Sequence, residues 1–172
     1  MKKINYLKLY SFPHKFRKDA TEGFVVDQDK ERLIIWRNSH DYILDGFVLL
    51  ERGNILSVDR RPRQKFTEAV LKLKYKRLKQ KAILKNNLES TLLAITKKYK
   101  IIFIEQRKVD IGFVGKFIKL ENKVLYLKSM GLKGEWEEVM EFPVKSIQRI
   151  EFNSDYLNAL LLYRKDKYRD II

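Results

Sequence analysis

The sequence predicts an α+β fold, mainly β: two small, bent antiparallel barrels joined by a basic two-helix insert. Three observations carry this. A run of short β-prone segments over Gly23–Asp59 returns in the same order between Gly112 and Glu151. Between the two copies the apolar residues recur at three and four positions, the helical period. The charge gathers in the same central stretch, where residues 60–108 hold sixteen cations against three acids, thirteen of the net fifteen positive charges. The implied division is 1–60 for the first β module, 61–100 for the insert, 101–153 for the second module and 154–172 for a short C-terminal helix and tail.

Each element follows from local chemistry. Residues 4–12 are β-prone and mostly alternate, and Pro13 ends that strand because it cannot donate to a ladder. His14–Thr21 reads as a basic loop. Glu22–Val26 and Arg32–Trp36 are strands about a polar turn at Asp27–Glu31. Tyr42–Leu50 is a further apolar strand with a bend at Gly46, and Gly53-Asn54 turns the chain into Ile55–Asp59. A positive φ is expected at Gly53. Short strands at this spacing suit a small antiparallel barrel. In the second copy Gly112-Phe113-Val114 matches Gly23-Phe24-Val25, and Val124-Leu125-Tyr126 matches Leu33-Ile34-Ile35. Glu121-Asn122-Lys123 is the turn, Val139–Phe142 stands for the strand at 46–50, and Ile147–Glu151 matches Ile55–Asp59.

In the insert, Leu71, Tyr75, Leu78 and Ala82 are spaced four, three and four, and Leu88, Leu92, Ile95 and Tyr99 repeat that spacing. Both runs read as helices. The second begins near Asn86 or Asn87, where Asn86 and Glu89 resemble a capping box. Ser154 or Asp155 caps a short terminal helix carrying Tyr156, Leu157, Leu160 and Leu161, and a charged tail from Arg164 to Ile172 frays.

The strand order, turn placement and lengths resemble the Sm-like family, the small bent barrels that include bacterial Hfq and the eukaryotic Sm proteins. Small SH3-like barrels give similar patterns. The Sm-like family has an N-terminal helix followed by five strands, as the second copy does with the 87–99 helix leading into Ile101–Ile104. Asn122 and Leu125 keep the spacing of the family's first motif, with Ile118 where its Asp belongs; the first copy has Asp27, with Glu31 in the place of Asn. Arg52-Gly53-Asn54 followed by Ile55-Leu56-Ser57-Val58 resembles the family's Arg-Gly motif with one residue fewer, and Pro143-Val144 replaces it in the second copy. The resemblance implies that Arg52, Asn54 and Asn122 belong to a nucleotide site, which is split across the two copies. Family members form rings by edge pairing. A tandem copy satisfies one edge internally, so a monomer or dimer is expected.

The residues exclude several classes of function. With no cysteine there are no disulfides, thiol nucleophiles or thiolate metal sites. No apolar run approaches the length of a membrane helix, and the charged N-terminus is no signal peptide, so a soluble cytoplasmic protein is expected. His14 and His40 are the only histidines and read as surface loop residues; Ser39-His40-Asp41 are sequence neighbours and no triad. Gly131, Lys133 and Gly134 lack the context of a phosphate-binding loop. No catalytic residue, metal site or cofactor is expected. The charge favours a polyanionic partner. Nucleic acid, RNA in preference, would meet Lys72, Lys76, Arg77 and Lys79 through its phosphates, with Tyr75 or Trp36 able to stack on bases. Two alternatives stay open: a scaffold domain binding an acidic protein, and a basic amphipathic helix on an anionic membrane.

Overall fold

A computed structural model of the chain describes residues 4–16, 18–107 and 111–168. Met1–Lys3, the cation Lys108 and the end of the tail, Arg169–Ile172, lie outside the described residues. Among the described residues the fold is mainly β with three helices. It divides into two compact units between Leu84 and Lys85, so the boundary falls inside the stretch read as one insert, with one helix on either side of it.

The first unit holds β1 (Leu9–Phe12), β2 (Thr21–Gln28), β3 (Arg32–His40), β4 (Ile43–Glu51), a 3₁₀ turn at Arg52–Asn54, and α1 (Pro62–Lys74). The strands are antiparallel neighbours in the order β1-β2-β3-β4. Residues 55–59 then return to β1: the Ser11 and Asp59 amides each donate to the other's carbonyl at 2.9 Å, and Ile55 bridges His14. The alternation of the strands sends Phe12, Val25, Leu33, Ile35, Val48 and Leu50 into one core. The first strand is shorter than expected because Leu7 takes a left-handed φ of 53° just before it. His14 is no surface residue. It is 3% exposed, with Nε2 2.7 Å from the Thr21 hydroxyl.

α1 begins with Pro62, whose missing amide and fixed φ suit a first helical turn. It ends at Lys74, so the expected helix through Tyr75, Leu78 and Ala82 is corrected to a turn at Lys76-Arg77 followed by a segment without regular structure. The reason lies in β2, where the register slips between Val25 and Asp27 and leaves Val26 as a bulge. The Val26 carbonyl accepts the Lys81 amide at 3.0 Å. The Asp27 carboxylate accepts the amides of Ile83 and Leu84 at 2.6 and 2.7 Å. A helix consumes its amides internally, whereas a non-helical chain can offer them to a bulge. Tyr75 and Leu78 still pack, but into the cluster of Leu9, Phe24, Leu44 and Leu71.

The second unit holds α2 (Leu88–Tyr99), β5 (Ile102–Gln106), β6 (Gly112–Glu121), β7 (Val124–Met130), β8 (Trp136–Pro143), a 3₁₀ turn at Val144–Ser146, β9 (Ile147–Phe152) and α3 (Asp155–Lys167). β9 pairs antiparallel with β5, giving the order β9-β5-β6-β7-β8. The cap of α2 is Asn87, whose side chain accepts the Ser90 amide at 2.8 Å. Glu89, expected in that box, instead accepts the Leu120 amide and ties α2 to β6. Asn122 and Lys123 both have positive φ, 50° and 63°, as a two-residue type I′ hairpin requires. Ser154 caps α3, which runs on to Lys167. Arg164 is therefore helical rather than frayed; its guanidinium donates to the Gly134 carbonyl and lies 4.8 Å from the Trp136 ring centre.

The strands of the two units share a detail that fixes their correspondence. β2 bulges after Val25 and β6 after Phe117, two residues beyond Gly23 and Gly115 respectively. A Cβ on Gly23 would lie 2.2 Å from the Trp36 carbonyl oxygen and 2.6 Å from the Ile35 side chain; on Gly115, 2.3 Å from the Lys128 carbonyl and 2.7 Å from Leu127. Gly23 therefore corresponds to Gly115, and Leu33 to Leu125. The sequence alignment on Gly112 and Val124 was out by three residues and by one.

Candidate nucleic-acid interface

The residues expected to meet a nucleic acid fall into four groups. Arg52 and Asn54 serve the turn that holds them. The Arg52 Nε donates to the Asp29 carbonyl at 2.8 Å and Nη2 to the Gln28 side chain at 2.7 Å, so Arg52 latches the β2–β3 hairpin. Burial lowers the guanidinium pKa, and Asp29 and Tyr6 oppose that only in part. The Asp29 carboxyl is pushed up by its own burial. The amides of Glu31 and Arg32 and the Arg32 guanidinium outweigh this and hold it below its ordinary value. Asn54 is buried, and its carbonyl accepts the Lys15 amide. Gly53 has no left-handed φ and open space where a Cβ would stand, which corrects the expectation that this turn needs glycine.

Lys72 belongs to an ion cluster around Glu68. That carboxylate, its side chain only 7% exposed, accepts the Leu9 amide at 2.9 Å, Lys72 Nζ at 2.7 Å and Arg60 Nη2 at 2.8 Å. Burial raises its pKa, but these donors outweigh burial and bring it to about 2. Lys72 and Glu68 thus pin α1 to β1. Lys76, Arg77 and Lys79 are different. They stand exposed on the segment that leaves α1, the part the sequence had placed in a helix. Lys74 and Lys81 flank them. Lys74 donates to the Tyr42 carbonyl at 3.0 Å, and the Lys81 ammonium sits 4.5 Å from the Phe47 ring centre and 5.5 Å from that of Trp36.

The expected stacking rings are engaged. Trp36 packs against Phe47 and Tyr75 with centroids 5.6 and 6.1 Å away, and the Tyr75 hydroxyl accepts the Leu44 amide at 3.2 Å. Tyr42 and Phe66, in edge contact at 6.3 Å, are exposed instead. Neither was singled out by the sequence. Asn122 stands at the exposed tip of the β6–β7 hairpin, in the other unit from Arg52 and Asn54.

The second unit gathers cations that the sequence counted but did not group. Lys97 and Lys100 from the end of α2 join Lys116 of β6 and Lys128 of β7 around a cavity of about 620 Å³. The Ser39 hydroxyl donates to the Ile43 carbonyl at 3.3 Å, and His40–Asp41 is an exposed pair at 3.1 Å. Among the described residues no group of three His, Asp or Glu side chains is placed to hold a metal ion, and no helix is long and apolar enough to cross a membrane. No protein-family model, curated protein or solved structure matches the chain.

Proposed function

We propose that this chain is a non-enzymatic nucleic-acid-binding protein built from two Sm-like modules, with RNA the preferred partner. The observation that carries the reading is the exposure of Lys76, Arg77 and Lys79 on the turn and irregular segment that follow α1, within a stretch that holds most of the excess charge. Exposed cations on a non-helical segment can follow a phosphate backbone, and such contacts supply sequence-independent affinity. The Sm-like part of the reading is supported by the strand order. In each unit the closing segment lies beside the first strand, reached through a 3₁₀ turn, and in the second unit a helix leads in.

Arg52 and Asn54 act in this reading as the frame of the hairpin turn, and Lys72 as the clamp of α1, leaving phosphate contact to the 76–79 segment and its neighbours. If about five phosphates of a single strand are met, log K falls against log salt with a slope near −3.5. Replacing Lys76, Arg77 and Lys79 by Gln flattens that slope and weakens all sequences alike without moving the melting temperature. Titration of labelled single-stranded RNA and DNA at several salt concentrations measures this. No binding at low salt to either would remove the reading.

One observation favours a protein partner instead. Phe66 and Leu73, seven residues apart on α1, are 61% and 77% exposed, an apolar pair that phosphate contacts leave unused. In that reading Phe66→Ser and Leu73→Ser abolish the interaction and leave nucleic-acid affinity unchanged.

A further inference from the structure

The cavity of the second unit has a composition that its fold does not require. Lys116 and Lys128 stand directly opposite each other in the β6–β7 ladder. Like charges at such a pair repel, which costs stability. Lys97 of the last turn of α2 and Lys100 just after it line the same space, the Lys100 ammonium donating to the Lys97 carbonyl at 3.2 Å, and no acidic side chain is among the lining residues. In the first unit the bulge places Phe24 and Trp36 at the positions of Lys116 and Lys128. The sheet can therefore carry an apolar pair there, and the lysine pair is no consequence of the architecture. A concave site lined by one sign of charge concentrates the opposite sign from solution.

The cavity's size and rim narrow the ligand. At about 620 Å³ it exceeds a single phosphate and falls in the range of small-molecule sites. Leu93 and Ile118, both well exposed, form an apolar edge beside the ammonium groups. We infer that this cavity binds a small molecule carrying a polyphosphate group, its anionic oxygens held by Lys97, Lys100, Lys116 and Lys128 and its organic part, where there is one, lying on Leu93 and Ile118. The site is independent of the nucleic-acid reading, which rests on the 76–79 segment of the other unit.

The test is calorimetric titration of the full chain, free of divalent ions, with inorganic tripolyphosphate, ATP and adenosine. Tripolyphosphate and ATP bind and raise the melting temperature; adenosine does not. Tighter binding of ATP than of tripolyphosphate assigns the rim to a nucleotide, and equal binding assigns the site to polyphosphate alone. Lys116→Gln with Lys128→Gln weakens both ligands about tenfold or more, as loss of charge-assisted contacts does. The same change leaves the free protein's melting temperature equal or higher, because it removes the repulsion. Lys97→Gln, on the helix, gives the same loss of affinity without touching the ladder. The triple Gln variant of Lys76, Arg77 and Lys79 keeps full affinity. The inference is overturned by absence of tripolyphosphate and ATP binding at low salt. It is equally overturned by undiminished affinity in both cavity variants, or by loss in the 76–79 variant instead.

Discussion

The two units share a strand order, a bulge and a glycine, yet they treat one patch of sheet in opposite ways. In the first, Phe24 and Trp36 face each other, Phe24 is fully buried, and α1 with the segment after it lays Leu71, Tyr75 and Leu78 over them. In the second, the corresponding pair is Lys116 and Lys128, and the patch is the floor of an open cavity. The helix after the second sheet covers a different place: Leu157 of α3 packs with Ile101, Val114 and Met130. The difference teaches that a backbone framework of this kind leaves the chemistry of its face free. What decides it is whether a following segment arrives to exclude water.

The sharpest way to break that comparison is to exchange burial for exposure. Phe24→Ala should cost about 4 kcal/mol, as loss of a buried aromatic does, whereas Lys116→Gln should leave stability unchanged or raise it by up to about 0.5 kcal/mol. Urea unfolding followed by fluorescence separates the two, because Trp36 lies in the first unit and Trp136 in the second. Equal effects in the two units would mean that the patches are not equivalent.

Next come the shared glycines. Gly23→Val and Gly115→Val should each cost about 3 kcal/mol, since each new side chain meets a carbonyl of the neighbouring strand that cannot move away cheaply. Similar losses at both sites support the correspondence drawn from the bulges; a tolerant Gly115 would undo it.

The Glu68 cluster sharpens the comparison from the side of the covering helix. Glu68→Gln should cost about 2 kcal/mol by weakening charged hydrogen bonds to Lys72, Arg60 and the Leu9 amide. Its folded pKa of about 2 lies below the ordinary 4.5, so its contribution is complete above pH 4.5 and is lost as the pH falls toward 2. Acid unfolding of the first unit should move to lower stability across that window in the native chain and be flatter in Glu68→Gln. The smallest effect belongs to Gly53→Val, within about 0.5 kcal/mol, because the site is open and its backbone ordinary.

Strand alternation, the polar turns, Pro13 and the Asn122-Lys123 hairpin were legible in the sequence, because each is set by residues adjacent along the chain. So was the helical period of α2 and of α1 up to Lys74. The continuation through Tyr75 and Leu78 misled, since four-and-three spacing describes any segment that alternately meets an apolar surface at those intervals. Only the bulge at Val26 made non-helical chain the better partner there. The candidate cations divided for a similar reason. Nothing local distinguishes Lys72, held by Glu68, from Lys79, which stands in water; nor Arg52, spent on a hairpin, from an arginine free to meet a ligand.

The sequence by itself determined the β-rich composition, the order of the short strands, the helical tendencies and the concentration of positive charge, all of which follow from local propensity and counting. The tertiary structure decided the strand register in the two units, the end of α1 and the grouping of Lys97, Lys100, Lys116 and Lys128. Those depend on which distant backbone groups and faces meet. A one-residue slip in a strand moves every side chain to the other face, and no local preference resolves that.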